Sequence, residues 1–157
     1  MKIFPTLAPS SQLLADILCA PVSIRSERLF ALARDLHGGV IPIRAGVPDT
    51  RAADDTKLWP WEEPLYQVEN GIALVSFRGP MVKGYDDFTC WCWGLASIDR
   101  LQSTLVELAN RADVAAVVLD IDSPGGMCLG TPELGDTIAA LAARKLVVAF
   151  TSGMACS

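Results

Sequence analysis

The chain has 157 residues, 51% of them hydrophobic and 20% charged, with a formal net charge of −5. This composition excludes a disordered chain, and the length allows one domain with a sizeable core and an appendage. The acidic balance excludes a general nucleic-acid binder, which needs clustered Lys and Arg to neutralise phosphates.

The cysteines, Cys19, Cys90, Cys92, Cys128 and Cys156, are odd in number and irregularly spaced. They read as thiols in a reducing cytoplasm rather than as a disulfide framework. Cys90-x-Cys92 has no second ligand pair and the only histidine, His37, is remote, so no metal and no cofactor is expected. Pro5, Pro9, Ser10, Ser11 and Asp16 interrupt any secretory apolar region after Lys2. No run approaches the ~20 apolar residues of a membrane span, so the expectation is a soluble, cytoplasmic chain.

Residues 1–38 read as a helical segment. Leu14, Ile17 and Leu18 form a small apolar face that ends near Pro21. Ser23 or Ser26 can cap a second helix, with Leu29, Leu32, Ala33 and Leu36 at helical spacing and Gly38-Gly39 as its stop. Residues 39–64 lose all periodicity among Pro42, Pro48, Pro60 and Pro64 and read as a linker. Trp59 and Trp61 near its end are expected to pack on the domain that follows, which runs from residue 65 to 157.

That domain opens with a hairpin, Tyr66–Glu69 and Ile72–Phe77 around Asn70-Gly71, the strongest short-range hairpin signal. Met81–Gly94 reads as an irregular, aromatic-rich segment that either fills core or faces a substrate or another subunit of an oligomer. From Leu95 to Ala112 the residues Ile98, Leu101, Leu105, Leu108 and Ala112 keep one face of an amphipathic helix. Val114–Ile121 is an apolar, β-branched run of the kind buried in a parallel sheet. Thr131 then caps a helix with Pro132 at its first position and Leu134, Ile138, Leu141 and Ala142 on its buried face. Leu146–Phe150 is the last strand. Alternating strands and helices predict an α/β fold with a parallel sheet, and ligands of such sheets bind beyond the carboxyl ends of the strands.

Two motifs fall at those ends. Asp122-Ser123-Pro124-Gly125-Gly126 can bring bare backbone N–H groups up to a reacting carbonyl, because glycine puts no side chain in the way. Gly153-Met154-Ala155-Cys156-Ser157 is a small-residue turn that carries a serine where a nucleophile would sit. If the strands are adjacent, both motifs share one rim. The other titratable residues read as structural. Lys83 and Lys145 are surface charges, Asp120 and Asp122 bond the backbone of the glycine turn, and His37 lies near a helix end.

Val118–Gly126 followed by Gly153–Ser157 resembles the signal peptide peptidase A family, over about residues 66 to 157. That family includes the phage protein C head-maturation proteases and belongs to the Clp protease–crotonase superfamily. The N-terminal helical segment and linker look like the phage branch, which lacks the membrane anchor of the cellular enzymes. The resemblance implies a Clp/crotonase-like parallel sheet with flanking helices, incomplete at residue 157. It implies a serine endopeptidase with Ser157 as nucleophile, Gly126 as an oxyanion-hole donor and Gly125 beside it in the oxyanion loop. A desolvated lysine of lowered pKa would serve as base. Its substrate would be a polypeptide, such as a phage scaffold, portal or capsid protein, and the enzyme would form a homo-oligomer.

The sequence departs from the family pattern at its end. The second oxyanion donor is the N–H of the residue after the serine, and the family's lysine lies roughly fifty residues further on. Neither falls within the 157 residues, so the fragment is expected to be inactive alone and, with apolar sheet faces uncovered, prone to aggregate or to need a partner. Two other readings compete. A crotonase-like acyl-CoA enzyme would use the glycine turn without Ser157, and a non-catalytic head-assembly remnant would bind a scaffold or capsid partner.

Overall fold

The computed structural model describes residues 22–24, 58–151 and 153–156, the first three as backbone alone. The expected helices and caps elsewhere in residues 1–38, and the linker before residue 58, lie outside the described residues. Ser23 itself caps no helix, because Val22–Ile24 is a strand, β1.

Strands β2 (Tyr66–Glu69) and β3 (Ile72–Arg78) form the expected hairpin. Asn70 at φ 51° and Gly71 at φ 79° make its turn, and two consecutive positive φ angles match the right-handed twist of the strands. β3 lies parallel to β6 (Ala116–Asp122), which lies parallel to β8 (Leu146–Phe150). The sheet order is β2-β3-β6-β8. The fold is thus α/β with a parallel sheet, and β6 and β8 are neighbours.

Helix α2 (Ile98–Asn110) connects β3 to β6 in the chain, and α3 (Thr131–Ala142) connects β6 to β8, after a shorter helix, α1 (Asp87–Trp93), that packs elsewhere. Ser97 caps α2 by accepting from Arg100 N at 3.2 Å. Ile98, Leu101, Leu105 and Leu108 recur every three or four residues and are all buried. They join Ala73, Val75, Phe77, Val117, Leu119, Leu134 and Leu141 in one core. Each fully buried Val, Leu, Ile or Phe among them stabilises the fold by about 1.5–3 kcal/mol relative to exposure. The helix stops at Asn110, so Ala112 does not belong to its face and is exposed. The cap of α3 is Gly130, at φ 87°, rather than Thr131. Thr131 sits inside the helix and its hydroxyl donates to Met127 O at 2.9 Å.

A second small sheet carries β4 (Met81–Val82), β5 (Ala96–Ser97) and β7 (Gly125–Met127), in the order β1-β7-β4-β5. The segment expected to be irregular contains α1. Asp86 caps it, accepting from Thr89 N at 2.9 Å and Thr89 Oγ1 at 2.7 Å, and Gly94 in the left-handed region ends it. Its residues fill a second core: Cys90, Cys92 and Trp93 pack with Val82, Leu95 and Met127. Trp61 is buried as expected. Its ring stacks on Trp59 at 5.1 Å and meets Phe88 edge-on at 4.9 Å.

Candidate active site

β6 delivers Asp122 and Ser123 to the carboxyl end of the sheet, where the chain turns into Pro124-Gly125-Gly126. Ser123 is 2% exposed and its hydroxyl ties the turn together. It donates to Gly79 O at 2.9 Å, at the turn after β3, and accepts from Gly125 N at 3.2 Å. Gly79 N in turn donates to Asp122 O at 2.9 Å. Gly125 has φ 105°, which L side chains rarely adopt. Gly126 lies so close to β4 that a Cβ there would overlap the backbone N and O of Met81. Each glycine of the pair is therefore required, for a different steric reason.

The second motif lies against the first. Ser123 N donates to Met154 O at 2.7 Å, and Cys156 N donates to Ser123 O at 3.0 Å. Ser123 and Ala155 form a parallel bridge, so residues 154–156 prolong the pairing of β8 with β6. Asp122 Oδ1 accepts from Met154 N at 3.0 Å, and its carboxylate fills the space that a Cβ on Gly153 would need. The glycine turn and residues 153–156 thus share one rim. Ser157 follows Cys156 directly and lies outside the described residues, as does Ser152.

The remaining candidates separate. Lys145 Nζ donates to Leu108 O and Arg111 O, both at 2.6 Å, and so satisfies carbonyls at the C-terminal end of α2. Lys83 faces Glu133 at 3.8 Å, and its aliphatic stem lies over Gly130. Asp122 bonds turn backbone as expected. Asp120 does not: it pairs with Arg78 at 2.8 Å across the sheet, accepts from Ser76 Oγ at 3.4 Å, and leaves its buried Oδ1 without a partner among the described residues. His37 lies outside the described residues. Burial pushes the Cys90 thiol up to about 12, helped by Asp87 and Asp86. Cys92 is raised in the same way, so neither is an active thiolate near neutral pH.

Sequence reasoning missed Ser123 as the tie of the turn. A serine two residues before a glycine is a signal of a hydroxyl-to-backbone turn, but it does not reveal the bond to Gly79, which lies 44 residues away. A cleft of about 390 Å³ lies elsewhere, lined by Tyr66, Ser76, Arg78, Asp87, Trp91 and Arg100 among others and by neither glycine of the turn. Its arginines are engaged, Arg78 by Asp120 and Arg100 by Asp87 at 3.6 Å and by the Glu63 carbonyl.

Fold and rim together define an α/β protein whose glycine turn and small-residue segment meet at the carboxyl edge of a parallel sheet. No protein-family profile matches the sequence. The chain is similar to the head-tail preconnector protein GP5 of Enterobacteria phage P21, 34% identical over 96 residues, which are 59% of this chain and 18% of that protein. It is also similar to the capsid assembly protease C of Escherichia phage lambda, 32% identical over 98 residues, 62% of this chain and 22% of that one. The matched stretch thus spans about a fifth of the length of each relative. Among the described residues no helix is long and apolar enough to cross a membrane.

Proposed function

We propose that the chain carries the nucleophile and oxyanion elements of a serine endopeptidase that matures phage heads, of the signal peptide peptidase A type on a Clp/crotonase-like fold. The observation that carries this reading is the hydrogen-bonded junction of Ser123 with Met154 and Cys156, which sets the residue before Ser157 beside the glycine turn. The likeness to a capsid assembly protease supports it. Ser157 attacks the scissile carbonyl. The Gly126 N–H stabilises the resulting oxyanion, and Gly125, whose own N–H is directed at Ser123 Oγ, shapes the loop. Lys145 holds the end of α2 and Lys83 faces Glu133, so the lysine base comes from outside the described residues. The substrate is a polypeptide of the phage head: scaffold, portal or capsid protein. Assembly as a homo-oligomer belongs to the same reading.

The test is cleavage of co-expressed head proteins, and labelling by a fluorophosphonate, with the chain expressed from its native reading frame. Ser157→Ala is expected to abolish labelling and to lower cleavage at least ~10³-fold, as loss of a nucleophile does. Cleavage that survives the substitution overturns the assignment and favours an enzyme that uses the glycine turn alone. A head protein bound but neither cut nor labelled favours the non-catalytic assembly role.

A further inference from the structure

Strand β7 has two edges, and both are occupied. On one side Met81 of β4 pairs with Gly126, packed closely enough to leave no room for a Cβ. On the other side β1 runs antiparallel, with Val22 opposite Met127, Ser23 opposite Gly126 and Ile24 opposite Gly125. β1 is the outermost strand of this sheet. A polypeptide whose carbonyl is to meet the Gly126 N–H must come within ~2.7–3.1 Å of it. A peptide lying extended along Gly125–Met127, at the ~4.7–4.9 Å spacing of a neighbouring strand, brings its main chain within that reach. Extended peptides bind sheet edges in this way, through main-chain hydrogen bonds. With β4 built into the fold, the edge left for such a peptide is the one that β1 holds.

We propose that Val22–Ile24 is a pseudosubstrate strand: it occupies the place of the extended polypeptide beside Gly126, and substrate binds by displacing it. This rests on the peptidase reading above and names the regulation of that same site. The occupant is short, three residues, and joins β7 from about a hundred positions away in the chain. β1 pairs with all three residues of β7, so an incoming segment outcompetes it by gaining contacts beyond that edge. The tether gives β1 an effective concentration in the ~mM range, which sets a threshold against weakly binding peptides.

The probe is a fluorescein-labelled peptide of residues 20–27, Ala-Pro-Val-Ser-Ile-Arg-Ser-Glu, followed by anisotropy on the 157-residue chain. In the chain carrying Val22→Pro, Ser23→Pro and Ile24→Pro together, β1 loses every N–H that it can offer to β7. It is expected to bind the peptide at least ~10-fold more tightly than the unsubstituted chain, because the tethered competitor is gone. Equal affinity, or no binding by either chain, overturns the proposal. A second measurement needs no substitution. Excess peptide is expected to raise amide hydrogen exchange at residues 22–24 of the unsubstituted chain while leaving Gly126 and Met127 protected. Peptide that binds without releasing residues 22–24 overturns it too. Neither readout needs turnover, so strand exchange in a chain that never labels at Ser157 sustains the exchange and defeats the peptidase reading alone.

Discussion

The two faces of the β2-β3-β6-β8 sheet are built from the same kinds of residue and end in opposite environments. Ala73, Val75, Phe77, Val117 and Leu119 face α2 and α3 and are at most 8% exposed. The register sets Ile72, Ala116 and Leu146 in one row of the other face, and Leu74, Val118 and Val148 in the next. There Leu74 is 43% exposed, Val148 47%, Phe150 56% and Leu146 67%. Parallel sheets are ordinarily covered on both faces. Among the described residues, α2 and α3 have one apolar stripe each and spend both on the same side. The apolar strands therefore describe what the sheet requires, and the placement of the helices describes which half of that requirement is met.

The sharpest way to break this comparison is to truncate a side chain in the covered environment. Leu105→Ala, at a position with no exposure, is expected to destabilise the chain by about 2–5 kcal/mol, read as a lower midpoint in urea. A loss near that of a surface position would mean that the core described here does not carry the fold.

Next in size is the rim. Ser123→Ala leaves Gly125 N without its acceptor and frees Gly79 O, and is expected to cost about 1–3 kcal/mol. Faster hydrogen exchange at Gly125 should accompany it. An unchanged midpoint would show that the turn holds itself without the hydroxyl.

A pH series extends the comparison to the aromatic layer. The Cys90 thiol is raised by burial from 9.0 to about 12, so its contribution to stability is fully present below pH 9 and is lost as pH rises toward 12. At pH 10.5 the unfolded chain already holds the thiolate and the folded chain does not, which favours unfolding by roughly 1–2 kcal/mol. Cys90→Ala should flatten the fall in urea midpoint between pH 8 and 10.5. An equally steep fall in the variant would assign the alkaline sensitivity to other groups.

The smallest effect belongs to the exposed face. Leu74→Thr with Val148→Thr keeps β-propensity and should move the midpoint by only about 0.5 kcal/mol per site. The same pair should reduce concentration-dependent light scattering, since exposed apolar patches drive association. A large loss of stability would show that the face is covered in solution.

Much of this was legible in the sequence because it is local. Asn70-Gly71 specifies its turn through the φ angles that those residues tolerate, and Leu101, Leu105 and Leu108 specify a helix face by their spacing. Strand Leu146–Phe150 and the glycine pair were readable for the same reason. The meeting of Asp122–Gly126 with residues 153–156 was readable from the strand–helix–strand order, because a simple crossover sets β6 beside β8. Helix α1 was not readable: its seven residues are too few to show a period, and an Asp86 cap and a Gly94 stop alone define it. Nor was the choice of Gly130 over Thr131 as cap, since either residue type is suited to that position.

The tertiary structure alone decided three things: that both helices cover one face, that Lys145 serves the end of α2, and that Val22–Ile24 pairs with the glycine strand. Each joins residues that stand far apart in the chain. Local propensity and periodicity act over a few residues and carry no record of such partners. Only packing, which brings distant backbone edges and apolar faces together, selects among them.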